Sequence, residues 1–337
     1  MRISTLQMYR QATDSLNKSL VDLYRLNEQI SSGKRINKPS DDVTGTSRAM
    51  AYKVSIAAGE QYLSNIKEAT SALTYADSTL SSVNTALTRL KELSVEAASG
   101  SKSGSSREAL AQEAGQLRDQ LLSLANTRVG NSYIFSGFRT DTAAFDSTYA
   151  YQGDSGSINV GIAGGVTLSQ NVTGADAFGY VLGAAKVVEI DDGVYAHYAP
   201  GAGTTVAVEI RDSETPGGGA LLDSFSYGNA MELADVLTTA MTDDDARRIS
   251  ACLSEIDAVA EHVNNVRADL GARINRLEDQ GDRIEDQNLM TKESLSSVED
   301  ADFIDAASEL SKAGTVLQAV QAATAKILSQ SLLDFLD

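Results

Sequence analysis

The chain has 337 residues, of which 42% are hydrophobic and 3 are proline, so it can form two or three folded regions with long helices. Its formal net charge of −18 disfavours nucleic acid and anionic membrane surfaces, since both attract a basic face. The single cysteine, Cys252, excludes an internal disulfide, and it falls on an apolar helical stripe where we expect it to pack. No apolar run is long enough for a membrane helix, and no signal-peptide core precedes residue 30, so we expect neither a membrane span nor a cleaved signal.

Residues 4–31 are predicted to form an amphipathic helix. Apolar and small residues recur there at intervals of three and four, which places them on one stripe that requires a partner helix. Gly33 and Pro39 end this helix, and Ser40 or Asp41 can cap the next one. The stripe consists of Leu6, Tyr9, Thr13, Leu16, Leu20, Leu23, Asn27 and Ile30.

Three further long helices are predicted, over residues 42–98, 107–128 and 243–298. Each carries an apolar stripe with helical periodicity, and a polar turn rich in serine and glycine separates the first two. Three such helices are enough for a rod-shaped helical bundle.

Residues 141–225 have a different character, because glycine and tyrosine are frequent and apolar residues alternate over short runs. This pattern predicts strands at 149–152, 157–160, 166–170, 186–190 and 204–210, with Asp191, Asp192 and Gly193 in a hairpin turn. We expect a small β or α+β domain inserted into a mainly α protein.

The C-terminal segment repeats the pattern of the N-terminal one. Its stripe consists of Phe303, Ala306, Leu310, Ala313, Leu317, Val320, Thr324 and Ile327. Seven basic and three acidic residues give residues 1–40 a charge of +4, whereas two basic and seven acidic residues give 299–337 a charge of −5. We expect the two termini to pair in a coiled coil favoured by this attraction. The alternative is two unrelated amphipathic helices with solvated faces.

Residues that carry chemistry are few. The two histidines, His197 and His262, belong to no metal-binding or nucleophile motif, and no phosphate-binding glycine loop occurs. Among the acidic runs, residues 243–245 are expected to cap a helix, and none has the oxygen spacing of an EF-hand. The sequence therefore predicts no enzymatic activity, cofactor or metal.

Two motifs near the ends of the chain resemble the signatures of the flagellin superfamily. Residues 30–45 (ISSGKRINKPSDDVTG) are similar to the N-terminal signature, and residues 297–302 (SVEDAD) to the C-terminal one. The resemblance covers roughly 1–140 and 225–337. The residues that carry it are Ser32, Gly33, Arg35, Ile36, Asn37, Asp41, Asp42, Glu299, Asp300, Ala301 and Asp302.

Within the superfamily, residues 1–9, 131–137 and 331–336 resemble the members that join the flagellar hook to the filament. This resemblance implies a subunit that is exported unfolded through the flagellar channel and forms an extracellular ring with copies of itself. Its implied neighbours are the first hook-associated protein and flagellin, and its implied helpers are an export chaperone and the export apparatus. The alternative within the superfamily is the filament subunit, flagellin itself.

The sequence and the resemblance together predict three domains, formed by residues 1–40 with 299–337, by 41–140 with 226–298, and by 141–225. The assembly interface is assigned to the two terminal stripes, and the chaperone to Leu317, Val320, Ile327 and Leu328. A hypothesis of a different class is a surface binding or adhesive role for the insert. Its candidate residues are Tyr149, Tyr151, Tyr180, Tyr195 and Tyr198.

The terminal stripes contain weak coiled-coil residues, such as Thr13 and Asn27 in the first and Ala306 and Thr324 in the second. Ordering about 65 residues costs on the order of 100 kcal/mol, which one weak helix pair does not comfortably offset. We therefore expect the termini to be mobile in the monomer and helical in the assembly.

Overall fold

A computed structural model describes the backbone of residues 5–99, 104–180, 182, 184–201 and 205–336, and the side chains within these ranges except those of 5, 6, 8, 9 and 327–336. The chain is 64% helical and carries a small sheet in its middle. The predicted fold class, mainly α with an inserted β-containing region, is confirmed.

The long helices lie where the apolar periodicity predicts them. The left-handed backbone of Gly33, with φ of +71°, ends the first helix. Asp42, rather than the predicted Ser40 or Asp41, caps the second, since its carboxylate accepts from the backbone N–H of Gly45 at 2.8 Å. The helices are α1 (Thr5–Ser32), α2 (Val43–Ala98), α3 (Gly104–Ala125), α4 (Gly174–Phe178), α5 (Ala230–Thr242), α6 (Ala246–Glu299) and α7 (Phe303–Leu336).

The described strands form two hairpins and one four-stranded antiparallel sheet of order β5-β6-β7-β8. The hairpins are β1 (Arg128–Val129) with β2 (Ser132–Tyr133), and β3 (Asn159–Ala163) with β4 (Val166–Ser169). The sheet contains β5 (Lys186–Asp191), β6 (Val194–Pro200), β7 (Val206–Arg211) and β8 (Leu221–Tyr227). Asp192 and Gly193 form the turn between β5 and β6, as predicted.

The strand predicted at 149–152 is wrong. The Asp146 carboxylate accepts hydrogen bonds from the backbone N–H groups of Thr148 and Ala150, which folds this segment into a turn. Tyr149 has a φ of +64°, outside the extended region. Only Tyr151 forms a bridge, with Phe145.

Two strands of the sheet, β6 and β8, are absent from the sequence prediction. In β6 the residues Ala196, His197 and Tyr198 are all buried, so the simple alternation that marks a half-exposed strand is lost. Most of β8 is exposed or half-buried, although it holds an edge of the sheet. β6 therefore lacks the period-two signal, whereas in β8 burial alternates from Asp223 to Tyr227 and the sequence prediction missed it.

The chain divides into two compact units, residues 1–61 with 284–337 (the terminal unit) and residues 62–283 (the central unit). Both boundaries fall inside helices, in α2 and α6, rather than in loops. The division into three domains stays a prediction.

In the central unit, buried tyrosines attach the sheet to α6. The Tyr198 hydroxyl donates to the Ala251 carbonyl at 2.9 Å. The Tyr227 hydroxyl donates to the fully buried Glu255 carboxylate, whose other oxygen lies 2.6 Å from the Lys186 ammonium. Cys252, on the same helix, is completely buried and packs as predicted.

Candidate functional site: the paired terminal segments

Helices α1 and α7 pack against each other in the terminal unit. The contact is shallow, because Leu16, Leu20, Leu23 and Ile30 on α1 are only half-buried. The partly buried positions of the α7 stripe are Leu310, Ala313, Leu317, Val320 and Thr324, with Ala306 fully buried.

Two members of the predicted stripes do not face the partner helix. Asn27 is exposed, and Leu26 is the buried residue in its place, with 4% of its surface accessible. A straight helix has 3.6 residues per turn, so residues that follow a heptad repeat move gradually around the helix and away from one face. At this point the buried position falls on leucine, which is favoured over asparagine because it is apolar. Phe303, at the start of α7, is 65% exposed.

Four other predicted residues, Leu6, Tyr9, Ile327 and Leu328, lie in α1 and α7, but their side chains are outside the described residues. The assignment of the two stripes to the assembly interface stays a prediction. So does the assignment of chaperone binding to Leu317, Val320, Ile327 and Leu328.

The two signature motifs meet at one place in the terminal unit, although more than 260 residues separate them in sequence. Lys34 and Asp300 form an antiparallel bridge. The Arg35 backbone N–H donates to the Glu299 carbonyl at 2.7 Å, and the Ala301 N–H donates to the Gly33 carbonyl at 3.0 Å. The turn after α1 is thereby fastened to the turn before α7.

Glu299 is the charged centre of this junction. Its side chain is buried, and its two oxygens lie 2.7 Å from the Lys34 ammonium and 2.8 Å from that of Lys53. Burial opposes ionisation of Glu299, but the hydrogen bonds from both lysines outweigh it and lower the pKa of the carboxyl below its ordinary value. The same contact raises the pKa of Lys34.

The remaining signature residues shape the two turns. Asp41 accepts from the backbone N–H groups of Asn37 and Lys38, at 3.1 and 2.9 Å, and these hydrogen bonds lower its pKa. Asp302 accepts a hydrogen bond from the backbone N–H of Ile304 at 2.9 Å and begins α7.

Ile36 is buried against Gly45, where an added Cβ would lie 2.5 Å from the isoleucine side chain. The Ser32 hydroxyl accepts from the Lys34 N–H, and the Ser296 hydroxyl donates to Asp300.

Opposite charges of the two terminal segments meet at this junction. One ion pair joins the two terminal segments, with 2.7 Å between the Lys34 ammonium and the Glu299 carboxylate. Two further pairs lie near the turn after α1 and join Arg35 to Asp42 and Lys38 to Glu28. The charges of α1 and α7 themselves are nearly balanced, so most of the excess lies in the adjoining turns. The predicted attraction between the two termini stays a prediction.

Large apolar side chains are left exposed mainly in the terminal unit. Of the 17 such residues among the described side chains, 10 lie in this unit, which holds 115 of the 337 residues. Val54 is 70% exposed and Ile304 80% exposed, and this exposure of apolar surface does not stabilise the monomer. Such a concentration is typical of a surface that another protein covers.

Comparison with known proteins shows the family to which this chain belongs. Residues 3–140 match the model of the bacterial flagellin N-terminal helical region, and residues 253–336 match that of the C-terminal helical region. The chain belongs to the flagellin family. Both matches include the signature residues that meet at the Glu299 junction.

Among individual relatives, the chain is 31% identical to flagellar hook-associated protein 3 of Escherichia coli K12, over 95% of this chain and 94% of that protein. It is 26% identical to a flagellin of Listeria innocua, over 93% and 90%. The crystal structure of flagellar hook-associated protein 3 from Legionella pneumophila has the same fold, with a TM-score of 0.57 and 21% identity over 74% of this chain and 98% of that one. This flagellin-family chain is homologous to hook-associated protein 3, as predicted.

The insert's tyrosines, proposed as a binding site, take part in separate contacts. The Tyr151 hydroxyl donates to backbone carbonyls in its own loop, and Tyr198 points to α6. Tyr180 packs its ring against His262, and Tyr195 lies on the face of β6 opposite to Tyr198. Tyr149 is half-buried in the turn described above.

The histidines serve local structure. His197 is buried in β6, with its Nε2 2.7 Å from the Ser213 carbonyl, and His262 lies 2.8 Å from the Asp176 carbonyl. Within the described part of the chain, no group of three potential metal ligands comes together. Nor does any helix there have the length and apolarity needed to cross a membrane.

Proposed function

We propose that this chain is the structural subunit that joins the hook of a bacterial flagellum to its filament. The observation that carries the proposal is the homology to hook-associated protein 3 along nearly the whole chain, with higher identity than to the flagellin. Its immediate partners are then copies of itself, the first hook-associated protein on one side and flagellin on the other. It acts by binding and has no catalytic role.

The terminal unit has the properties that such a subunit needs. Its helix pair is shallow, and its outer surface is rich in exposed apolar residues, so neighbouring subunits can complete its burial. We infer that the subunit leaves the cell unfolded through the flagellar channel. The apolar positions Leu317 and Val320 of α7, together with Ile327 and Leu328, would bind an export chaperone before α7 pairs with α1.

The decisive experiment is deletion of the gene, followed by electron microscopy of the cell surface and an assay of protein in the medium. Bare hooks together with secreted, unpolymerised flagellin would establish the junction role. Bare hooks without flagellin in the medium would instead identify the chain as the filament subunit. Normal filaments would contradict both roles.

A surface binding role of the insert is a second candidate. The four-stranded sheet is anchored to α6, and its β8 edge carries the exposed residues Leu221 and Leu222. A chain with both leucines replaced by serine would assemble normally but lose adhesion if the insert binds a receptor. Unchanged adhesion would exclude this surface.

A further inference from the structure

The segment between β7 and β8, residues 212–219, lies over the outer face of the four-stranded sheet, the face away from α6. We call this segment the covering loop. Its residues Pro216 and Gly217 line a cavity of about 240 Å³ together with Val187 of β5, Ala199 of β6 and Ala207 of β7. The loop therefore packs back onto the strands rather than extending into solvent.

His197 holds the covering loop to the sheet. It lies on the face of β6 opposite to Tyr198, and 7% of its surface is accessible. Its Nε2 lies 2.7 Å from the Ser213 carbonyl, and Nε2 carries a proton there because a carbonyl oxygen only accepts. On the same face of β6, Tyr195 is half-buried and Ala199 is exposed. The loop thus buries His197 more deeply than its neighbours on this face.

The other ring nitrogen of His197, Nδ1, is closed off from solvent. Within the described part of the chain, no group forms a hydrogen bond with it. In the neutral ring this nitrogen has no proton and can only accept. Protonation would turn it into a charged N–H donor that is buried without an acceptor, which costs far more than an unused acceptor. The closed loop is therefore compatible with a neutral His197 and not with its imidazolium form.

Acidic groups surround this ring on the outer face. Opposite His197 on β7 is Glu209, whose carboxylate is half-exposed and lies 2.8 Å from the Arg211 guanidinium. Opposite it on β5 is the uncharged Val187, and the Lys186 ammonium is held by Glu255 on the other face. The other titratable groups on this side are Glu189 of β5, Tyr195 of β6, and Asp212 and Glu214 of the covering loop. These carboxylates attract a proton to the ring, and Glu209 can pair with the imidazolium once the ring is free to move.

We propose that protonation of His197 releases the covering loop from the sheet. The neutral ring holds the loop through the Ser213 carbonyl, whereas the charged ring leaves its place because Nδ1 has no acceptor there. Histidines as a class take up their proton between about pH 8 and pH 5, so acidification through this range opens the cavity beneath the loop. The device lies in the central unit and does not depend on the proposed function.

A spin label on the covering loop tests the release in the full-length monomer. Thr215→Cys provides an exposed thiol for a nitroxide, and Cys252 stays unlabelled because it is completely buried. Electron paramagnetic resonance then reports the mobility of the loop at each pH. The chain has two histidines, so NMR of the ring protons follows the protonation of His197 directly, and His262→Gln identifies its signal.

We expect the label to change from slow to fast motion between about pH 8 and pH 5, with the same midpoint as the protonation of His197. His197→Gln should keep the slow motion throughout, because its amide can still donate to Ser213 but gains no charge. His262→Gln, at the other histidine, should retain the transition. A transition that survives in His197→Gln would overturn the proposal.

The wild-type background decides the matter if His197→Gln does not fold. Coincident midpoints for the ring protons and the label would support the release. A label that stays slow while His197 becomes protonated would show that the ring finds an acceptor inside the closed loop, and the proposal would fall. A His197 that stays neutral down to pH 5 would overturn it as well.

Discussion

At the scale of single residues, the docking of the two termini is concentrated on Glu299. This carboxylate is buried, and both of its charged partners, Lys34 and Lys53, come from segments more than 240 residues earlier in the chain. Removing one member of such a pair costs more than the pair itself contributes, since the other members stay without a counter-charge. The lysines are half-exposed, which reduces the cost through solvent screening.

We expect Glu299→Gln to lower the free energy of unfolding by about 1–2 kcal/mol at pH 7, measured by urea denaturation of the whole chain. Glu293→Gln is the matched control, because Glu293 is exposed on the same helix, and it should change stability by less than about 0.5 kcal/mol. Equal effects of the two substitutions would contradict the role of Glu299.

The lowered pKa of Glu299 also predicts a pH dependence. A carboxyl group whose pKa is lower in the folded state contributes stability above its unfolded pKa, ordinarily 4.5, and loses it as the pH falls through the folded value. The difference between wild type and Glu299→Gln should therefore be constant at neutral pH and narrow steadily below 4.5. A difference that persists unchanged at pH 2 would show that the glutamine acts through packing alone.

A second residue prediction concerns the sheet. Tyr227→Phe removes the hydroxyl that donates to buried Glu255, and a lost hydrogen bond to a charged group costs about 1.5–3 kcal/mol. Thiol labelling of Cys252, which lies on the same helix and is fully buried, should become faster as local opening increases. Tyr195→Phe, on the outer face of the sheet, should leave the labelling rate unchanged. Equal labelling in both variants would contradict the prediction.

At the scale of elements, α2 and α6 lie in close contact at a glycine of the terminal unit. A Cβ on Gly59 would lie 2.3 Å from the side-chain oxygen of Asn288, which is itself buried. At Gly271, in the middle of α6, a Cβ would meet nothing within 4 Å. Two glycines in helix interiors thus have opposite environments.

Gly59→Ala should therefore destabilise the protein, although alanine favours a helix by roughly 1 kcal/mol over glycine. Gly271→Ala should stabilise it by about 0.5–1 kcal/mol, since only the helix preference changes. Thermal unfolding of both variants measures the two signs. A gain in stability from both would mean that Asn288 moves aside freely.

At the scale of the whole molecule, burial is distributed unequally between the two units. In the central unit, Leu73, Leu80 and Leu87 of α2 and Val263 and Leu270 of α6 are almost completely buried. Among the described side chains of α1 and α7, the buried ones are Leu26, Gln29 and Ala306, and the others are half-buried or exposed. Local stability follows the buried apolar surface, so the terminal helices should open first.

In hydrogen exchange of the free monomer, we expect amides of α1 and α7 to exchange at least about tenfold faster than those at 66–97 and 249–277. Assembly into the flagellum should remove the difference, because neighbouring subunits cover the exposed residues. Strong protection of α1 in the monomer would contradict the prediction and would mean that the terminal unit is stable without its neighbours.

The sequence by itself determined the long helices, their approximate ends and the family. Helical periodicity extends over many turns, and glycine, proline and aspartate act locally at the boundaries, so these features need no knowledge of distant contacts. The signature motifs could be recognised as residues, but not as one site.

Only the tertiary structure decided that these motifs meet around Glu299, and that Leu26 rather than Asn27 is buried. It alone shows that Gly59 lies against a neighbouring side chain whereas Gly271 does not. It also decided the position of β6, because burial on both faces removes the alternation that marks a strand. Each of these features depends on which residues far apart in the chain come within a few ångströms of each other. The periodicity of one segment does not identify those distant residues.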